Sequence, residues 1–409
     1  MKKHIAHLVL LSLFTFLSQF SSYGQGSSYS GPYEPSAPIR LQDVSNRTIS
    51  NLEISNPNGI CIRLINCSNI TIQNCKLGPS KEEGVYLYNC TNVKITNCSM
   101  EAISTGLSAV ESFSIQFNYN DVKNVKGPFP RGQMSQFDDV TGAGSSVSYN
   151  ILENIAGESS PEDAISLFKT HGTVDSPVKV IGNWIRGGGP SLSGGGIILG
   201  DYGGSYINVE NNILVDPGQY GIAITAGTNL TIKNNKIYAR QQSFTFWGLM
   251  SYIQYPDPTH SNTIMNNEVN WKNHQGILRN FWDDGKGGVI AGWSTNVYNP
   301  NLNTSILPTK IIGRAAPAVT TEVTETPIKN EIKIYPSVVN DHLTIESTSD
   351  IKDGVIEIYN IRGQRIINVP INESNTEINT SNFAEGVYIV KISKDNKQIE
   401  TKKIIVGRS

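Results

Sequence analysis

The chain has 409 residues, with 33 Lys plus Arg against 35 Asp plus Glu, a formal net charge of −2 and only 17% charged residues. That balance excludes a general nucleic-acid binder, which needs a basic surface to meet phosphates. With 37 glycines, abundant Asn and 38% hydrophobic residues, the composition excludes a mainly helical enzyme and suits stacked β-structure with tight turns.

The N-terminus opens with Met1-Lys2-Lys3-His4, then the apolar run Leu8 to Leu17, then the small residues Ser22 and Gly24. This order predicts a cleaved secretory signal over residues 1–24. The run is too short for a bilayer, and no later stretch predicts a transmembrane segment. The mature protein is expected to be secreted or held at the cell surface, and monomeric. All five cysteines (Cys61, Cys67, Cys75, Cys90 and Cys98) fall in one window, with no CxxC pair and no His at zinc-site spacing.

Those cysteines mark a repeat. Cys67 to Cys90 and Cys75 to Cys98 are both 23 residues, and Asn69-Ile70-Thr71-Ile72-Gln73-Asn74 recurs as Asn92-Val93-Lys94-Ile95-Thr96-Asn97. Followed down the chain, one apolar position recurs as Ile54, Leu77, Met100, Val122, Leu152, Ile185, Leu214, Ile237 and Val269, at intervals of 22 to 33. A second ladder runs Ile49, Ile72, Ile95, Phe117, Val147, Val180, Val209, Ile232 and Ile264, and a third runs Leu52, Cys75, Cys98, Asn120, Asn150, Asn183, Asn212, Asn235 and Asn267. Periods of this size predict a coil of short parallel strands, each rung stacked about 4.8 Å above the last. Inward side chains then stack like on like, and the inward Asn amides bond their copies above and below at the turns. Cys75 and Cys98 occupy that column as small fillers, close enough for a disulfide, with packing the favoured role.

The ladders resemble the right-handed parallel β-helix, or pectin-lyase-like, fold over residues 36–313. The resemblance implies an all-β solenoid and leaves its chemistry open; the handedness comes from that family and from the usual chirality of parallel crossovers. Residues 314–329 form a Thr/Pro/Ala linker without a core-forming pattern. After it, short alternating strands over residues 330–409 predict a small C-terminal β-sandwich. Its motifs, Ile334-Tyr335-Pro336, Ile358-Tyr359-Asn360-Ile361-Arg362-Gly363-Gln364, Ala384-Glu385-Gly386-Val387-Tyr388 and Lys402-Lys403-Ile404-Ile405, resemble the type IX secretion sorting domain of Bacteroidota. Pro336-Ser337-Val338 departs from the Pro-Asn-Pro usual there. The resemblance implies the type IX secretion machinery as a partner and passage through the periplasm and outer membrane.

Rungs ending at Leu152, Ile185, Leu214 and Val269 carry six to ten extra residues. Three are consecutive, so their loops should emerge on one side and wall a cleft. Alignment of Phe137, Leu167 and Leu199 predicts a column of Asp139, Lys169 and Asp201 at one strand end, with Gln133 and Asp163 together at the other. The leading expectation is a carbohydrate-active carbon–oxygen lyase that eliminates across uronic-acid-containing poly- or oligosaccharides. Elimination needs a base and a group that neutralises the carboxylate. Lys169 or His171 would be the base, Arg131 or Lys126 the clamp and Tyr202 or Tyr220 the acid. Gln133 and Arg186 would bind substrate, and Asp138, Asp139, Glu162, Asp163 and Asp201 would ligate calcium, an ion suited to hard carboxylate oxygens.

Two alternatives stand beside this. One is a glycoside hydrolase pairing Asp139 with Glu162 or Asp201; Asp138-Asp139 precedes Thr170-His171-Gly172 as in the β-helix galacturonases, but their Asn-Thr-Asp and Arg-Ile-Lys motifs are missing. The other is a non-catalytic surface or carbohydrate-binding coil. Trp247, Trp271, Trp282 and Trp293 are expected to cap the open end of the coil rather than stack on sugar. Gly187-Gly188-Gly189 and Gly194-Gly195-Gly196 are expected to form tight turns where backbone approaches a ligand.

Overall fold

The structure is a computed structural model that describes residues 26–313, 332–336, 338–346, 354–360, 364–371, 373, 375–394 and 397–407. The signal segment 1–24 and the linker 314–329 lie outside the described residues. The chain divides into two compact units, Met1–Pro317 and Ala318–Ser409.

The first unit is a coil of parallel strands with three faces. One face is an eleven-stranded sheet running from Glu34–Pro35 to Val297–Tyr298. The other two are joined in a single sheet because one 14-residue strand, Ile197–Glu210, runs through the corner between them. We call the face from Ile39–Gln42 to Phe281–Asp283 the groove face and the one from Ser45–Ser50 to Thr263–Met265 the third face.

The predicted ladders are in register. Ile54 pairs with Leu77, Leu77 with Met100, and so on through Val122, Leu152, Ile185, Leu214, Ile237 and Val269. Ile49, Ile72, Ile95, Phe117 and Val147 stack likewise, as do Val180, Val209, Ile232 and Ile264. These side chains are buried, so each rung hides its apolar stripe only by lying on its neighbour.

The doublets Asn74-Cys75, Asn97-Cys98, Tyr119-Asn120, Asn211-Asn212, Asn234-Asn235 and Asn266-Asn267 show how one corner is made. The first residue of each takes a left-handed backbone, φ between 56° and 59° except Asn266 at 55°, which Asn tolerates better than most residues. The second points inward. Asn120, Asn150, Asn183, Asn212 and Asn235 each donate from Nδ2 to the Oδ1 of the next, at 2.9 to 3.1 Å. Each also caps a carbonyl of the adjoining strand, as Asn183 does with Val147 at 2.8 Å. Asn296 continues the column beyond the predicted rungs, accepting from Asn267 at 2.7 Å. All five cysteines are free and buried.

In the second unit, Lys333–Tyr335, His342–Glu346 and Asn375–Asn379 form an antiparallel sheet, and Val338–Val339, Val355–Asn360, Arg365–Pro370, Gly386–Lys394 and Lys397–Val406 form a five-stranded one. They enclose a core that includes Ile345, Ile356, Ile358, Val390, Ile392 and Ile404.

Candidate active site

Outward positions on the groove face form one continuous row: Arg40, Arg63, Tyr86, Ser108, Gln136, Ser166, Ile198, Ala223, Met250 and Trp282. The row is cationic at the N-terminal rungs, polar in the middle and apolar at the C-terminal rungs. Over its middle lies a cleft of about 560 Å³. The extended loops wall it as expected, with Phe129 and Pro130 from one, Glu162 and Asp163 from the next, and Leu192 and Ser193 from the third. Phe168, Tyr202, Tyr252 and Tyr255 supply aromatic surface.

Asp163 is the central polar group. Its Oδ1 accepts the Gly195 N–H at 2.9 Å and the Tyr220 hydroxyl, which leaves Oδ2 for the cleft. Burial among protein atoms raises its carboxyl to about 7, against the lowering effect of those two donors; the nearby Asp201 and Glu162 charges add to the rise. Gly195 must be glycine for this arrangement, since a Cβ there would stand 2.7 Å from the Tyr220 ring. The Gly194-Gly195-Gly196 turn thus seats a carboxylate and a tyrosine rather than approaching a ligand with its backbone. Burial raises Asp201 as well, with the Tyr255 hydroxyl bond opposing the rise, and Glu162 accepts from Ser193 Oγ at 2.9 Å. Burial and the Asp163 charge hold the Tyr220 hydroxyl well above its ordinary range. Among the described residues lining the cleft there is no Lys, Arg or His.

The column of Asp139, Lys169 and Asp201 is not formed. A bulge at Gly200 shifts the register, so Phe168 pairs with Asp201. Gly200 has φ 68° and a Cβ there would meet the Ala226 carbonyl oxygen at 1.8 Å, so the insertion needs glycine. The left-handed corner position held by Asp139 and Lys169 passes to Tyr202 (φ 57°, 45° and 54°), and Asp201 turns into the cleft beside Phe168. Lys169 is exposed at the rim, its Nζ 5.2 Å from the Phe168 ring centre and 5.9 Å from that of Tyr202.

The other expected residues scatter. His171 faces a separate small pocket, with Nδ1 3.1 Å from Ser205 Oγ. Arg131 leaves the cleft to pair with Glu83 at 3.0 Å and to donate to Gln136 Oε1 at 2.9 Å. Lys126 donates to the Glu158 carbonyl. Arg186 lies on the eleven-stranded face, where it holds the carbonyls of Thr304 and Leu307 at 2.8 and 2.7 Å. Gln133 lines the cleft, but its amide is spent on Thr105 and the Pro130 carbonyl. Tyr220 lines the cleft. The five carboxylates named for calcium do not fit that ion as a set. Asp163, Asp201 and Glu162 each have a hydroxyl partner, Asp138 and Asp139 do not line the cleft, and among the described residues no group of three or more His, Cys, Asp or Glu gathers as a metal site.

Phe168, Tyr252 and Tyr255 were missed because the inward ladders carry no signal for outward and loop positions. The tryptophans divide between two roles. Trp271 is buried and Trp293 packs on Phe281 at the end of the coil. Trp247 and Trp282 instead stack outside at 5.7 Å, with Tyr252 on Trp282 at 4.7 Å, beside the cleft.

Residues 37–208 match the family described as the right handed beta helix region, and residues 333–407 match the secretion system C-terminal sorting domain. No curated protein matches the chain. Among solved structures, a variant of the catalytic domain of a GH87 alpha-1,3-glucanase in complex with tetrasaccharides is similar at 16% identity and TM-score 0.43, over 63% of this chain and 50% of that one. The GH87 catalytic domain in complex with nigerose is similar at 13% and 0.39, over 61% and 54%. A tailspike from Acinetobacter baumannii bacteriophage Fri1, a capsular polysaccharide depolymerase, is similar at 13% and 0.25, over 88% and 60%. The chain spans about half the length of the glucanase domains it matches. Among the described residues no helix is long and apolar enough to cross a membrane. The chain is a right-handed β-helix protein with a C-terminal type IX secretion sorting domain, exported to the cell surface or the extracellular space.

Proposed function

We propose that the cleft hydrolyses a glycosidic bond in a polysaccharide or oligosaccharide, with Asp163 as general acid and Asp201 as its carboxylate partner. The observation that carries this is a carboxyl held at about 7 by burial, opening from the same cleft as a second carboxylate. Glycoside hydrolysis divides the work in this way: a carboxyl still protonated near neutral pH protonates the leaving oxygen, and a carboxylate activates water or attacks the sugar. The tyrosine and phenylalanine rings around the pair suit the apolar faces of pyranose rings.

Elimination from a uronate fits the cleft less well. It needs a cation or donor set on the sugar carboxylate, whereas Lys169 stands at the rim, His171 in another pocket and Arg131 on Glu83. Digestion of acidic and neutral polysaccharides separates the two. Hydrolysis yields new reducing ends without the ultraviolet absorbance of a 4,5-unsaturated uronate, and Asp163→Asn and Asp201→Asn should each abolish them. New absorbance, or full rates in both variants, would overturn the assignment.

A further inference from the structure

N-terminal to the cleft, the same face carries an open groove of about 630 Å³ lined by Arg40, Arg63, Tyr86, Glu82, Glu83 and Arg131. Three guanidinium groups converge there. Arg40 is fixed by the carbonyls of Ile39, Ile60 and Cys61 at 2.7 to 3.3 Å, which use three of its five N–H donors. Arg131 spends two donors, on Glu83 and Gln136. Arg63 is exposed, with its guanidinium 5.9 Å from the Tyr86 ring centre. Glu83 is engaged by Arg131, so Glu82 is the remaining opposing carboxylate in the groove.

Groove and cleft are joined by the row of outward positions, and Arg131 bridges them, since the Gln136 it holds lines the cleft. Four rungs separate Arg63 from Ser166 in the cleft, about 19 Å at the usual spacing between strands. A saccharide chain laid along this face would reach from the carboxylate pair to the arginines within a few sugar units.

We propose that Arg40, Arg63 and Arg131 form an anion subsite that holds the carboxylate or sulfate groups of a polysaccharide whose neighbouring sugars occupy the cleft. Planar guanidinium forks match both oxyanions in geometry and charge. The chain would lie with its charged sugars on the N-terminal rungs and its less polar faces on Met250 and Trp282. The assignment of charged sugars to this substrate rests on the reading of the cleft as a glycosidic site; binding in the groove does not.

Calorimetric titration of the full chain with a hexameric oligouronate, a sulfated hexasaccharide and an uncharged hexasaccharide tests this. One or both charged ligands should bind more tightly than the uncharged one, and which of them does identifies the oxyanion. The Arg40→Ala/Arg63→Ala variant should weaken that binding about tenfold, leave the uncharged ligand unaffected and flatten the salt dependence. Arg63→Glu should weaken it further and Arg63→Lys should keep only part of it, since an ammonium has the charge without the planar fork, while unaltered circular dichroism keeps the comparison within folded protein. Equal affinities for charged and uncharged ligands, or no effect of Arg63→Glu, would overturn the subsite. Charged ligands that bind in the predicted way but are never cleaved would count against the hydrolytic reading and leave the subsite standing.

Discussion

Replacing Asp163 by Asn should stabilise the coil at alkaline pH and leave it unchanged in acid. Burial raises this carboxyl to about 7 in the folded chain, whereas in an unfolded chain it titrates at about 3.9. Between those values the native state binds more protons than the unfolded state, so stability falls as pH rises through the interval. Three decades of proton affinity correspond to at most about 4 kcal/mol, at about 1.36 kcal/mol each, less whatever water in the cleft screens at Oδ2. Asn carries no charge at any pH and its Oδ1 can keep the bonds from Gly195 and Tyr220. Urea denaturation of both proteins, followed by circular dichroism, should therefore give equal stabilities below about pH 3 and a gap in favour of the variant that widens to a few kcal/mol above about pH 8. A gap that stays constant with pH would refute the burial argument and, with it, the role of Asp163 as a neutral-pH acid.

Asn183→Ala removes an amide that donates to Val147 and Asn212 and accepts twice from Asn150; stranding those buried groups should cost about 3–5 kcal/mol of unfolding free energy. Asn89→Ala, on the exposed outer row at φ 49°, should cost about 1 kcal/mol, from its left-handed backbone. The five buried thiols should react with a thiol reagent only once denaturant opens the coil. Trp282→Ala, which removes a ring stacked on Trp247 and Tyr252, should weaken saccharide binding about tenfold in calorimetry.

The coil was legible because its physics repeats. An inward position has the same neighbours on every rung, so Ile54 to Val269 and the Asn column could be read as ladders from spacing alone. The identity of the loops that wall the cleft was legible for a similar reason, since minimal rungs expose the longer ones. What spacing does not show is a single inserted residue within a strand. Gly200 moved Asp201 out of line with Lys169 and into the cleft, and nothing in the repeat distinguishes that glycine from one at a turn. Charged residues were misplaced for another reason. Arg186 and Arg131 lie in long-rung segments, but their partners, Thr304, Leu307 and Glu83, come from far along the chain. The tryptophans show both sides: Trp271 keeps the inward parity of Val269 on its strand and is buried, whereas Trp282 falls in the outward row beside Met250.

In the proposed reaction water, delivered across a carboxyl pair, breaks a sugar–sugar bond. Cleavage of an acidic polysaccharide in water enriched in heavy oxygen, with the products read by mass spectrometry, follows that water into the product. Hydrolysis places one heavy oxygen on each cleaved product pair and leaves every uronate saturated. Products that carry no heavy oxygen and are lighter by one water at the new non-reducing end would show elimination and rule out hydrolysis at Asp163 and Asp201.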